Sequence, residues 1–166
     1  MSGHAVDIAL TVNGERVSER VEPRQTLVDF LRETLSLTGS HVGCEHGVCG
    51  ACTVRVDGAI VRGCLMLAVQ CDGATVETIE GMSDSGEVAD LQAAFEQRNA
   101  LQCGYCTPGM IAAAQDLLKR AKEDESVPSR DAIREHLSGN YCRCTGYHAI
   151  VDAVEAVAQA RAGGKR

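Results

Sequence analysis

The sequence predicts an α+β fold in which a β-rich first half is followed by a helical second half. Three features predict it. Apolar and polar residues alternate in short runs as far as Ile79, apolar residues recur at helical spacing beyond Glu87, and a stretch rich in glycine and serine separates the two patterns.

In the first half, Val6, Ile8, Leu10 and Val12 alternate with other residues, as a half-buried strand does, and Asn13-Gly14 follows as a two-residue hairpin signal. Arg16 to Val21 is the returning strand. Pro23 breaks the pattern, after which Thr26 caps a helix whose apolar positions are Leu27, Phe30, Leu31 and Leu35. Thr53 to Val56 and Ala59 to Val61 flank Asp57-Gly58, a second hairpin, and Ala74 to Ile79 is one more short strand. This β-β-α-β-β order resembles a ubiquitin-like β-grasp, so residues 1–80 are expected to form one domain. Gly81 to Glu87 reads as a linker. Beyond it, Leu91, Ala94 and Phe95 mark one helix face, and Met110, Ala113, Ala114, Leu117 and Leu118 a second. Ile133 and Leu137 mark a third face, and Ile150, Val151, Val154 and Val157 a fourth. Four such helices predict a small bundle over residues 88–161, with 162–166 as a tail.

Composition narrows the function. The chain has 166 residues, 45% apolar and 23% charged, with no tryptophan, three tyrosines and two phenylalanines. A core so poor in large side chains is helped by something else that ties the chain together, and nine cysteines are available. The first residues carry no basic stretch followed by an apolar one, and no apolar run approaches the ~20 residues that span a bilayer. A cytoplasmic location is therefore expected, where disulfides are rare, and the odd cysteine number also disfavours a closed disulfide framework. A net charge of −7 without a basic block argues against nucleic acid as a partner.

The first cysteine group is Cys44-x4-Cys49-x2-Cys52, with Cys64 further on. Three thiols on one loop and a fourth downstream is the plant-type [2Fe–2S] spacing. Gly43, Gly47 and Gly50 suit it, because glycine lets backbone N–H groups approach and face negatively charged sulfur. Zinc is the rival metal, although zinc sites more often pair Cys-x2-Cys knuckles. Cys44-Glu-His46 looks like half of a Rieske motif, but no matching Cys-x2-His follows and His46 reads as a solvated loop residue. Spacing alone leaves Cys71 in competition with Cys64 for the fourth place; its plainer reading is a buried free thiol.

The second group is Cys103-x2-Cys106 with Cys142-x-Cys144. Each pair precedes a predicted helix, and the two segments form a weak internal repeat in which Thr107 matches Thr145, thirty-eight residues later. Thr107 and Thr145 are expected as helix caps, with Pro108 at a first helical position, so that both helix N-termini direct N–H groups toward an anionic centre. Arg143 is either a balancing cation or an exposed loop residue. Zinc on four cysteines stays open for this group by spacing alone.

With both groups in view, the chain resembles the small iron–sulfur subunit of the molybdenum hydroxylases, the xanthine dehydrogenase, aldehyde oxidoreductase and carbon monoxide dehydrogenase relatives. The stretches that carry the resemblance are Gly43-Cys-Glu-His-Gly-Val-Cys-Gly-Ala-Cys-Thr-Val54, Thr78-Ile-Glu-Gly81, Leu101-Gln-Cys-Gly-Tyr-Cys-Thr-Pro-Gly-Met110 and Gly139-Asn-Tyr-Cys-Arg-Cys-Thr-Gly-Tyr147. It implies a plant-type ferredoxin-like β-grasp domain with one [2Fe–2S] cluster on Cys44, Cys49, Cys52 and Cys64, and a four-helix domain with a second on Cys103, Cys106, Cys142 and Cys144. It also implies a large partner subunit holding molybdopterin, in its cytosine dinucleotide form, and a medium subunit holding FAD, assembled as a dimer of heterotrimers. Gln102 and Cys144 are implied as pterin contacts. The chain would then be an oxidoreductase subunit that passes electrons singly from molybdopterin through the helical-domain cluster and the β-grasp cluster to FAD. No substrate chemistry is expected on this chain. Gly63, where relatives often have serine, and Tyr105, where phenylalanine is common, are departures that touch no implied ligand.

Overall fold

The computed structural model describes residues 5–164; residues 1–4 of the expected first domain and 165–166 of the expected tail lie outside them. Five strands form one sheet: β1 (Val6–Val12), β2 (Glu15–Val21), β3 (Thr53–Val56), β4 (Ala59–Arg62) and β5 (Thr75–Glu77), in the order β2-β1-β5-β3-β4. The sheet is mixed, with β1 parallel to β5 and the other pairs antiparallel. Among the described residues six α-helices accompany it: α1 (Leu27–Asp29), α2 (Ile79–Asp84), α3 (Ala89–Gln97), α4 (Thr107–Glu123), α5 (Arg130–Leu137) and α6 (His148–Gly163). The expected α+β class is therefore present, as a mixed sheet followed by helices. Among the described residues no helix is long and apolar enough to cross a membrane.

Both hairpins form where the turn residues predict. Asn13 and Gly14 have φ of 51° and 87°, and Asp57 and Gly58 have 48° and 85°. Two successive positive values match the turn that suits strand twist. Ile8, Leu10 and Val12 then face one way and are buried with Val54, Val56 and Val76. α1 covers that face. The Thr26 hydroxyl accepts the Asp29 N–H at 3.2 Å, as a cap should. The helix is shorter than its apolar spacing suggests, because it opens into a wider turn in which the Leu35 N–H bonds the Phe30 carbonyl. Leu27, Phe30 and Leu31 are nonetheless fully buried, each contributing ~1.5–3 kcal/mol.

A second apolar cluster lies among the later helices, built from Leu91, Phe95, Met110, Ala114, Ile133, Leu137, Ile150 and Val154. The expected linker needs correcting. Most of residues 81–87 belongs to α2 or its end, and Met82 is buried in the helical cluster. Gly81 is small for a packing reason, since a methyl group there would overlap the Asn13 side chain. The expected tail also shortens, because α6 continues to Gly163.

One buried cation ties the sheet to the helices. Arg55 on β3, 4% exposed, donates to Glu77 at 3.0 Å and to both oxygens of Glu87 at 2.9 and 3.0 Å. Gln115 on α4 also donates to Glu87, and Arg161 on α6 bonds Gln115 and Asp90. Arg55 hydrogen bonds chiefly, and then Gln115, hold the Glu87 carboxyl below its ordinary range against the opposing effect of burial. Replacing Arg55 with Met is expected to lower stability by ~2–3 kcal/mol, less than a fully buried pair because both glutamates are partly exposed. Glu87 is depressed in the folded state, so the wild-type advantage is present above the ordinary glutamate value of 4.5 and fades as the pH falls below it. Urea denaturation midpoints of the two proteins across that range measure both effects.

Candidate metal centres

The first thiol group sits on the loop between α1 and β3. Cys44 Sγ accepts the backbone N–H groups of Cys49 and His46, each at 3.4 Å. These hydrogen bonds, Cys49 first, hold its thiol down at about 6. The loop turns tightly enough to do this because Gly47 and Gly50 adopt φ of 75° and 76°. At Gly50 even the space is closed, since a methyl group would overlap the Asn140 side chain and the Gly139 carbonyl. Cys52 and Cys64 meet beneath the loop, buried with Val28. Two backbone bonds align them: Gly63 N–H to the Cys52 carbonyl and Val28 N–H to the Gly63 carbonyl, both at 3.1 Å. Burial pushes Cys52 up to about 11.

Cys71 lies elsewhere. It is fully buried in the apolar cluster of the sheet, where desolvation pushes it up to about 11, and its Sγ is 3.8 Å from the Leu67 carbonyl. The structure thus brings Cys64, not Cys71, beside Cys52. His46 is exposed and its ring bonds the Cys44 carbonyl, as a solvated loop residue.

The second group closes a long sequence separation. Cys103 and Cys144 sulfurs are 3.6 Å apart, and Cys106 lies close enough to Cys142 for the two thiols to affect each other's ionisation. Burial, followed by that contact, pushes Cys106 up to about 12. Burial works against ionisation of Cys142 as well, but hydrogen bonds from Thr145 hold its thiol below the ordinary cysteine value. Gln102, Cys103, Arg143 and Cys144 are all exposed, so Gln102 and Cys144 lie open to a partner and Arg143 is a surface residue here.

The expected caps are corrected. α4 begins at Thr107 itself, with Cys106 as its flanking residue, and the Thr107 hydroxyl makes no cap. That hydroxyl is buried with no hydrogen-bond partner among the described residues. α6 begins at His148, with Tyr147 rather than Thr145 before it. Thr145 Oγ1 instead lies 3.1 Å from the Cys142 sulfur. Thr145 therefore serves a thiol rather than a helix, and the Thr107 hydroxyl serves neither.

Several contributors carry no signal in the spacing of the thiols. The Asn140 side chain, 2% exposed, donates to the carbonyls of Gly50 and Gly109 at 3.1 and 3.0 Å. Tyr141 N–H donates to the Cys49 carbonyl at 2.8 Å, so one hydrogen bond links the two thiol-bearing loops. Arg62 donates to the Gly139 carbonyl at 2.8 Å from the sheet side. His41 stacks on Tyr105 with ring centroids 4.5 Å apart, and the Tyr105 hydroxyl donates to the Val42 carbonyl at 2.8 Å. Asn140 was visible only as a member of the Gly139–Tyr147 motif, and Arg62 had no signal at all.

The four thiols of each group gather at one place: the Cys49 N–H reaches the Cys44 sulfur and Cys52 packs with Cys64, while the Cys103 and Cys144 sulfurs touch and Cys106 feels both Cys142 and Cys103. Among the described residues, no three Cys, His, Asp or Glu side chains converge as the ligands of one metal ion would. Four thiols gathered at each place fit a centre of two irons held by four thiolates, and backbone N–H groups already face one of the sulfurs. The buried, unpartnered Thr107 hydroxyl beside Cys106 fits the same account, since a bound anionic centre offers it an acceptor.

Such a chain is an iron–sulfur protein with two centres. Residues 10–74 match the model of a 2Fe-2S iron-sulfur cluster binding domain, and residues 78–155 that of a [2Fe-2S] binding domain. The chain is 49% identical over 157 residues to caffeine dehydrogenase subunit gamma of Pseudomonas sp. strain CBB1, covering 95% of this chain and 92% of that protein. It is 51% identical over 149 residues to the nicotine 6-hydroxylase small subunit of Paenarthrobacter nicotinovorans, covering 90% and 87%. It superposes on a chain of quinoline 2-oxidoreductase from Pseudomonas putida 86 with a TM-score of 0.88 and 48% identity, covering 99% of this chain and all of that one. The chain belongs to the family of small [2Fe–2S] subunits of the molybdenum hydroxylases. It is an electron-transfer subunit of a multi-subunit oxidoreductase.

The junction between the loops is testable. Asn140→Ala removes the buried hydrogen bonds to the Gly50 and Gly109 carbonyls, at ~0.5–1.5 kcal/mol each, while the Gly50 carbonyl keeps the Thr53 N–H and hydroxyl as donors. The expected outcome is a lower denaturation midpoint together with loss of visible absorbance from both centres, because the contact belongs to both loops. Gly109→Ala is expected to do the same, since its methyl group would overlap the Gly50 carbonyl oxygen.

Proposed function

We propose that Cys44, Cys49, Cys52 and Cys64 hold one [2Fe–2S] cluster in a plant-type ferredoxin-like β-grasp domain, residues 1–80. Cys103, Cys106, Cys142 and Cys144 hold a second in a four-helix bundle domain, residues 88–161. The single observation that carries this reading is the gathering of four thiols at each of two places. Two separate apolar clusters, one under the sheet and one among the helices, support the division into domains.

When bound, each cluster supplies a one-electron centre, and the protein sets its potential through hydrogen bonds to sulfur, charge and burial. The chain itself keeps the centres apart and fixed. The Tyr141 N–H to Cys49 carbonyl bond spans the two loops, and buried Asn140 excludes water beside it. The partners are a large subunit holding molybdopterin as its cytosine dinucleotide and a medium subunit holding FAD, in a cytoplasmic dimer of heterotrimers. Gln102 and Cys144 contact the pterin; their exposure on one rim of the second site supports this. Electrons accordingly run singly from the large subunit's side, at the helical domain, toward FAD at the β-grasp end. The named relatives act on caffeine, nicotine and quinoline, and a nitrogen heterocycle is the substrate class we propose for the assembled enzyme.

The native complex tests this directly. Cys106→Ser is expected to disturb only one of two distinguishable paramagnetic signals of the reduced protein, and Cys71→Ser to leave both intact. Loss of a signal in Cys71→Ser would refute the ligand assignment. Metal analysis is expected to find iron and acid-labile sulfide; zinc without iron would end the cluster reading. On gel filtration from the native source, molybdenum is expected to elute with the chain, and a 17.6 kDa monomer without molybdenum would end the subunit reading.

A further inference from the structure

Around Cys142 the chain forms a closed ring of hydrogen bonds. Tyr147 is a non-glycine residue in the left-handed region, φ 69°, a conformation that L side chains rarely adopt and that surrounding contacts must hold. It makes two contacts from that position. Its backbone N–H donates to Thr145 Oγ1 at 3.2 Å, and its phenol oxygen accepts the Cys142 N–H at 2.9 Å while donating to the Asn140 carbonyl at 3.3 Å. Thr145 Oγ1 completes the ring, 3.1 Å from the Cys142 sulfur.

The direction of that last bond follows from chemistry. Thr145 Oγ1 already accepts a hydrogen from Tyr147, which leaves its own hydrogen to give. A cysteine ligated to iron is a thiolate, with no hydrogen to offer and negative charge to share. The hydroxyl is therefore the donor. In the other half of the repeat the hydroxyl of Thr107 makes no such contact with a cysteine, so the two threonines of the repeat are not equivalent.

We propose that Thr145, held by Tyr147, donates a hydrogen bond to the Cys142 sulfur and thereby raises the reduction potential of the second cluster above that of the same centre without it. This rests on the reading that Cys103, Cys106, Cys142 and Cys144 hold a [2Fe–2S] cluster. Reduction adds one electron and no proton: the hydroxyl hydrogen stays on Thr145, and its bond strengthens as negative charge on sulfur grows. Donors to the sulfurs favour the reduced state for that reason. Thr145 acts through its contact with a ligand, as a positioning residue.

The test is a redox titration of the purified multi-subunit complex, followed by electron paramagnetic resonance of both reduced clusters. Thr145→Val keeps the shape and removes the donor. It is expected to lower the reduced-to-oxidised ratio of the second cluster about tenfold at a given ambient potential, a shift of ~59 mV. The first cluster should stay at its wild-type midpoint, and Thr145→Ser, which restores a hydroxyl, should return the second close to its own. Two wild-type signals with an unmoved midpoint in Thr145→Val would overturn this inference alone. An equal shift in Thr145→Ser would overturn it too. A wild-type complex with no second [2Fe–2S] signal would overturn the underlying reading along with it. If Thr145→Val and the smaller Thr145→Ala both lose iron from the second site while Thr145→Ser keeps it at the wild-type midpoint, the hydroxyl serves assembly and the proposal falls.

Discussion

The architecture of both centres depends on the buried amide of Asn140. Its two N–H bonds end on carbonyls from different elements, Gly50 in the first thiol loop and Gly109 at the start of α4. Its own backbone precedes Tyr141, whose N–H reaches Cys49, and then Cys142. Arg62 at the end of β4 holds the neighbouring Gly139 carbonyl. One side chain thus fixes where the helical half sits on the loop of the sheet half. Glycine is needed at 50 and 109 because the backbones meet too closely for a side chain.

From that junction the two sites diverge in character. In the first, Cys52 and Cys64 are buried between the loop and α1, while Cys44 is held by backbone N–H groups. In the second, Cys103 and Cys144 are exposed, and the exposed apolar side chains of Leu101, Tyr105 and Tyr141 come from the same segments. Exposed apolar residues around a redox centre suit a face that another subunit covers, in keeping with membership of a multi-subunit family. The Arg55 network works on the opposite scale, tying β3 and β5 to the end of α2 and to α4 with hydrogen bonds that screening weakens only at the partly exposed glutamates.

Much of this was legible residue by residue. Asn13-Gly14 and Asp57-Gly58 predicted their turns because few other dipeptides accept two positive φ values. The alternation in β1 and the helical spacing in α4 and α6 marked their buried faces, since each period follows from backbone geometry. Local composition misled at Gly81 to Glu87, where small residues mark close packing of α2 against Asn13 instead of a free linker. It misled again at Thr107 and Thr145, which look like helix caps, although the Thr107 hydroxyl is buried without a partner and that of Thr145 lies against the Cys142 sulfur.

What the sequence determined by itself is the chemistry: which thiols are available, that three of them share one glycine-bearing loop, that four more fall in two short motifs, and that two, Cys64 and Cys71, compete for one place. Spacing encodes that much because ligands on one loop are neighbours whatever the rest of the chain does. The tertiary structure alone decided the pairings across distance. Cys64 rather than Cys71 stands beside Cys52 because Gly63 bonds the Cys52 carbonyl, whereas Cys71 is drawn into the sheet core. Cys103 finds Cys144 because helix packing and the Asn140 amide bring two distant turns together. Those contacts rest on burial and on donors such as Arg62, whose partners lie far away in the chain, and no local pattern carries them.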